Sequence, residues 1–118
     1  MTPTPTELRL NRAERRLDVD FGGGDRFSFP AEFLRVESPS AEVQGHSPSE
    51  RKFIPGRRAV AIMRVEPVGH YAVRLVFDDG HDTGIYSWDY LHRLGHEQTA
   101  RWEAYMAGLG RLGLTRDR

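Results

Sequence analysis

The sequence predicts an α+β fold: a small, mainly antiparallel sheet of hairpins with a short helix, a long loop and a C-terminal packing helix. Three observations carry that expectation. Apolar residues recur with period two over 8–21 and again over 71–77, glycine- and aspartate-rich turns join the alternating runs, and an apolar stripe at helical spacing follows near the end of the chain. The 118 residues suit one domain with one core, since a chain of this size buries roughly two-thirds of the surface it exposes when unfolded. With 38% apolar residues and aromatics making up 10% of the chain, there is enough large apolar surface to offset chain entropy.

The elements follow in chain order. Leu8 and Leu10 alternate with polar neighbours, and Leu17, Val19 and Phe21 resume the alternation after a charged turn over 11–16, which reads as a β-hairpin. Gly22-Gly23-Gly24-Asp25 then turns the chain into a short strand with Phe27 and Phe29 on one face. No Gly-Lys-Ser/Thr follows the glycine triplet, so a turn is expected there and not a phosphate loop. Pro30 suits the first position of a helix, which Phe33, Leu34 and Val36 continue to about Glu37. From Ser38 to Arg58, serine, proline and glycine break every period. A structureless stretch of about 20 residues is uncommon in a compact domain and marks a functional or mobile loop. Val60, Ile62 and Met63 open a second β region, and Tyr71, Val73, Leu75 and Phe77 share one face of the clearest strand. Asp78-Asp79-Gly80 signals a hairpin whose return runs from Asp82 to Tyr86. Ser87 caps a short helix through Leu91 and Leu94 that Gly95 is expected to close, and a last helix runs from about Thr99 to Leu109 with Trp102, Tyr105, Met106 and Leu109 as its stripe.

Composition narrows the function. Seventeen basic residues balance seventeen acidic ones, so the field that draws nucleic acid or an anionic membrane is missing, and neither is expected as a partner. Cysteine is absent, which excludes disulfides, thiolate zinc sites, cysteine-ligated clusters and a cysteine nucleophile, and fits a cytoplasmic home. Residues 1–6 read as a disordered leader without the apolar stretch of a signal peptide, and 111–118 as a flexible tail. No run approaches the roughly 18 apolar residues of a membrane span.

The string Phe77-Asp78-Asp79-Gly80-His81-Asp82-Thr83-Gly84-Ile85-Tyr86-Ser87-Trp88-Asp89-Tyr90-Leu91 resembles the γ-butyrobetaine hydroxylase N-terminal domain, which also occurs alone in bacteria. The opening hairpin, the Phe29-Pro30-Ala31-Glu32-Phe33-Leu34-Arg35 segment and the Gly-Leu of the last helix extend the resemblance over 7–110. The resemblance implies a domain that precedes a catalytic oxygenase domain in the hydroxylases; this chain is not long enough to supply that second domain, so an enzyme is not expected. It also implies a zinc site of three cysteines and one histidine. The matching positions here are Ser38, Ser40, Val43 and His81, and hydroxyls and valine are poor replacements for thiolates. Zinc is therefore not expected. Related domains are appended to ATPases that carry iron–sulfur clusters, which implies a protein partner of that kind and a role in iron–sulfur or iron-enzyme assembly.

Two accounts of His81 stand: a turn residue hydrogen-bonded to the strand end, or a weak divalent-metal ligand together with Asp79 and Asp82. Arg51, Lys52, Arg57, Arg58 and Arg64 form a basic stretch, and Asp78, Asp79, Asp82 and Asp89 an acidic one. These face each other, or the basic loop recognises an acidic partner or a phosphate. Tyr86, Trp88 and Tyr90 either anchor the core or line a groove. The expected interaction surface comprises Arg57, Arg58, Asp79, Asp82, Tyr86 and Trp88. His92 and His96 have helical i, i+4 spacing, but an end at Gly95 would part them.

Overall fold

The structure is a computed structural model that describes residues 3–45 and 52–117. Two three-stranded antiparallel meanders, not one sheet, carry the hairpins. The first consists of β1 (Glu7–Asn11), β2 (Arg16–Asp20) and β3 (Arg26–Pro30), and the second of β4 (Ile62–Val68), β5 (Ala72–Phe77) and β6 (Gly84–Ser87). Period-two patterning sets the register. Leu8 opposes Val19, Leu10 opposes Leu17 and Leu17 opposes Phe29, while Val65 opposes Leu75 and Val73 opposes Tyr86. Because neighbours along a strand face opposite ways, a slip of one residue would expel this whole set from the core.

Between the meanders runs α1 (Ala31–Val36), a helix of six residues all of which are buried. Phe33, Leu34 and Val36 join Leu17, Val19, Phe29, Leu75, Phe77, Tyr86, Leu91 and Leu94 in the interior. Each such side chain contributes roughly 1.5–3 kcal/mol by leaving water. The polar residues of α1 are buried as well and are matched by charge: the Arg116 guanidinium donates two hydrogen bonds to Glu32, at 2.9 and 2.7 Å, and Arg35 donates to Asp79 at 2.7 Å.

The stretch 38–58 differs from the structureless loop read in the sequence. Ser40 caps α2 (Ala41–Gln44), its Oγ accepting from the Glu42 amide, and Val43 is buried. The Lys52 amide returns to the Val43 carbonyl at 2.8 Å, and Phe53 and Ile54 pack against Tyr105 and Leu109. The mobility expected of the loop centre, with His46 and Arg51, lies outside the described residues.

Gly95 does not end a helix. The chain from Trp88 to Leu112 forms one helix, α3, whose N-cap Ser87 accepts from the Tyr90 amide at 3.0 Å. A glycine inside a helix costs roughly 1 kcal/mol relative to alanine. Here it also removes an obstacle: a Cβ at Gly95 would stand 2.5 Å from the Phe27 ring. The glycine that reads as a stop is a contact point, through which α3 lies close against β3.

Beyond α3 the expected flexible tail folds back. Gly113 adopts a left-handed conformation, the Gly56 and Arg58 amides donate to Thr115 and Arg116 carbonyls, and Arg116 reaches Glu32. At the other end, the Thr6 amide pairs with the Asp20 carbonyl at 2.7 Å, so ordered pairing begins inside the expected leader.

Candidate functional site

Four positions that the family resemblance groups, Ser38, Ser40, Val43 and His81, converge in the structure. Ser38 follows α1, Ser40 and Val43 belong to the cap and body of α2, and His81 stands in the β5–β6 turn. Ser38 Oγ lies 2.8 Å from His81 Nε2, Ser40 Oγ lies 2.8 Å from Thr83 Oγ1, and Glu42 Oε2 lies 3.1 Å from His81 Nδ1. The Thr83 hydroxyl completes the ring by donating to Glu42 at 2.7 Å. Gly84 makes room for the approach, since a Cβ there would stand 2.7 Å from Ser38 Oγ.

This cluster is closed by hydrogen bonds among its own members. Burial and the nearby Arg35 guanidinium hold the His81 pKa below its ordinary value, against the opposite pull of Glu42, Asp79 and Asp82. A neutral imidazole donating from Nδ1 to Glu42 leaves Nε2 to accept the Ser38 hydroxyl proton. The Thr83 hydrogen bond, with the Arg35 charge and the hydrogen bond from His81, holds the Glu42 pKa below its ordinary value. One imidazole, hydroxyls, one exposed carboxylate and a valine do not reproduce a thiolate zinc centre, so the donor set does not fit the zinc that the family resemblance implies.

Beneath His81 lies a triad of charge. The Asp79 side chain is 4% exposed and lies 2.7 Å from both Arg35 Nε and Arg57 Nε. Its second oxygen accepts the His81 amide at 3.0 Å. Burial favours the protonated form, but the His81 amide and the two guanidinium groups outweigh it and lower the Asp79 pKa. The basic and acidic stretches therefore do face each other at Arg57 and Asp79. Arg35 was the missing member, hidden because its partner is far along the chain and its side chain is inside the fold. Its Nη1 has no hydrogen-bond partner among the described residues.

The remaining expected surface residues are dispersed. Arg58 is exposed and pairs with Asp117 at 2.7 Å on the rim of a cleft of about 520 Å³ lined by Arg57, Asp78 and Arg116. Asp82 is exposed and lies 3.7 Å from Arg74. Asp79 and Tyr86 belong to the interior instead: Tyr86 is 0% exposed, donates to the Leu34 carbonyl, and has its phenol pKa pushed up by burial. Such residues support a surface and do not form one. Trp88 is half-buried at the opposite end of β6, where its indole donates to the His70 carbonyl at 2.8 Å beside a groove lined by Leu8, Leu10, Val65 and Pro67.

A second polar group escaped the reading of the sequence. Asp25, His92 and His96 come together because α3 continues through Gly95. The i, i+4 spacing of the two histidines was the available signal, and the helix stop placed at Gly95 obscured it.

A family model described as "Gamma-butyrobetaine hydroxylase-like, N-terminal" matches residues 8–92. Two NMR solution structures resemble the chain along almost its whole length. One is 43% identical with a TM-score of 0.86, covering 99% of this chain and 92% of its own. The other is 46% identical with a TM-score of 0.83, covering 98% and 86%. A crystal structure from Acidithiobacillus ferrooxidans ATCC 23270, described as a protein with unknown function of the DUF971 family, is 40% identical with a TM-score of 0.66 over 78% of this chain and 92% of that one. No curated protein matches.

Proposed function

The chain belongs to the γ-butyrobetaine hydroxylase-like N-terminal family, and from that membership we propose that it is a non-catalytic accessory domain that docks onto a protein partner. The docking face surrounds the 78–83 turn and the 56–58 segment. One observation supports this reading above others: the Arg35–Asp79–Arg57 triad clamps the segment to the turn from inside. Arg58, Asp78, Asp82 and Arg116 then stand on a fixed scaffold as a polar rim of mixed charge. Such a rim suits the charged edge of another protein, where it sets orientation and encounter rate.

Catalysis has less support at this face. Both His81 nitrogens are engaged by Ser38 and Glu42, and the neighbouring hydroxyls are tied to one another. No substrate atom would find a base and a nucleophile free together. The family resemblance points to an ATPase that carries iron–sulfur clusters as the partner, with a role in iron–sulfur or iron-enzyme assembly. A chain without cysteine would contribute contacts and not cluster ligands, and it suits the reducing cytoplasm.

Arg58→Glu tests the reading, because Arg58 is exposed and its replacement leaves the triad intact. Affinity for the purified ATPase carrier should fall by about 1–2 kcal/mol with unchanged melting temperature. Trp88→Phe reports in the same way on the groove at the other end of β6. Binding indifferent to Arg58→Glu and Asp82→Arg, together with a turnover that requires His81, would overturn the proposal.

A further inference from the structure

The geometry points to a divalent transition-metal site formed by Asp25, His92 and His96, on the face where the glycine turn meets helix α3. The site is separate from the His81 cluster and from the docking face.

Ligand spacing is the first support. His92 Nε2 lies 2.9 Å from Asp25 Oδ2 and 3.3 Å from His96 Nε2, and His96 Nε2 lies 3.9 Å from the same carboxylate oxygen. Atoms bound at zinc distances to one ion stand about 2.9 Å apart in octahedral and about 3.4 Å apart in tetrahedral geometry. Two edges already match. The third closes by rotation of the His96 side chain, which is 55% exposed.

The pocket also holds its donors in place. His92 lies edge-on to Phe21 at 5.0 Å and to Phe27 at 6.0 Å, and His96 edge-on to Phe27 at 5.2 Å. The two imidazoles stand one helical turn apart on α3, and Gly95 between them permits the approach to Phe27 that aims both at the turn. The turn is fixed from its own side: the Asp25 amide donates to Gly22, its carbonyl accepts from Phe21, and Asp20 Oδ1 caps the Gly22 amide. His92 Nε2 faces both Asp25 Oδ2 and His96 Nε2, so one bound cation can sit between the three donor atoms.

Chemistry selects the ion. Two imidazoles and one carboxylate favour zinc, nickel, copper or cobalt over calcium and magnesium, which take oxygen. Asp25 and His96 are about half exposed, so the remaining coordination positions open to water or to a ligand from another molecule.

Calorimetric titration of chelator-stripped protein with zinc chloride tests the site. One zinc per chain is expected at micromolar affinity, undisturbed by millimolar magnesium, with amide shifts in ¹H–¹⁵N spectra confined to 22–25 and 92–96. His96→Ala and Asp25→Asn should each weaken binding at least tenfold, the roughly tenfold cost that even an outer-sphere loss carries. Both should keep the melting temperature of metal-free protein, whereas His70→Ala should bind as the parent does. Absence of saturable binding, equal affinity in His96→Ala and Asp25→Asn, or shifts centred on His81 would overturn the assignment.

Discussion

Asp79 ties together three segments that are far apart in the chain. It neutralises Arg35 and Arg57 and holds the His81 amide, while its own side chain is almost sealed from water. Asp79→Asn preserves the shape and removes the charge, leaving the Arg35 guanidinium buried without a counterion. Breaking such a pair costs about 3 kcal/mol or more, which urea denaturation at neutral pH would read directly. A loss below about 1 kcal/mol would show that Arg35 finds another anion. His81 contributes pH dependence in the sense opposite to a histidine whose pKa is raised by an acidic partner. Its folded-state pKa is depressed below 6.5 by burial and Arg35, so the unfolded chain binds the proton more readily. The stability gained from a neutral His81 is present above pH 6.5 and is lost as pH falls from there through the depressed folded value. Melting temperature measured from pH 7.5 downward should fall through that window more steeply in the parent than in His81→Gln. Parallel curves would mean that His81 charges without cost.

At the scale of elements, α3 shows how one residue type takes different meanings along one helix. Gly95 abuts Phe27, whereas Gly110 is exposed with open space where a side chain would go. Gly95→Ala should therefore destabilise by about 1–3 kcal/mol through overpacking. Gly110→Ala should stabilise by about 0.5–1 kcal/mol, since it removes backbone freedom from the unfolded chain and meets nothing in the folded one. Thermal denaturation of the two variants separates a glycine kept for contact from one that is only tolerated. Effects of the same sign would show that Phe27 moves aside freely.

Across the whole molecule, the C-terminal end of the described chain is tied to its middle. The segment after α3 pairs its backbone with 56–58 and sends Arg116 to Glu32 in the buried helix α1. Truncation after Leu114 leaves the Glu32 carboxylate, 7% exposed, without that partner. A stability loss of about 2–3 kcal/mol is expected from the stranded charge, and hydrogen exchange at Gly56 and Arg58 should accelerate. Unchanged exchange there would mean that the 56–58 backbone holds its place unaided.

The sequence by itself determined the α+β class, the strands and their turns, the Ser87 cap and the apolar face of β5, because period-two alternation and turn chemistry are local and report which residues leave water; that the strands divide into two sheets was decided by the tertiary structure. The grouping of Ser38, Ser40, Val43 and His81 was an implication of the family resemblance, and the structure sets Ser38 2.8 Å from His81. Only the tertiary structure decided that Gly95 lies inside a helix, since the ring that makes its missing Cβ useful belongs to a strand some seventy residues earlier. The same holds for Asp79 and Tyr86, whose polar groups read as surface until Arg35 and the Leu34 carbonyl are seen to satisfy them. A residue's partners across the fold set its burial, and short-range pattern records neither the distance between segments nor the pairing of charge that lets a polar group leave water.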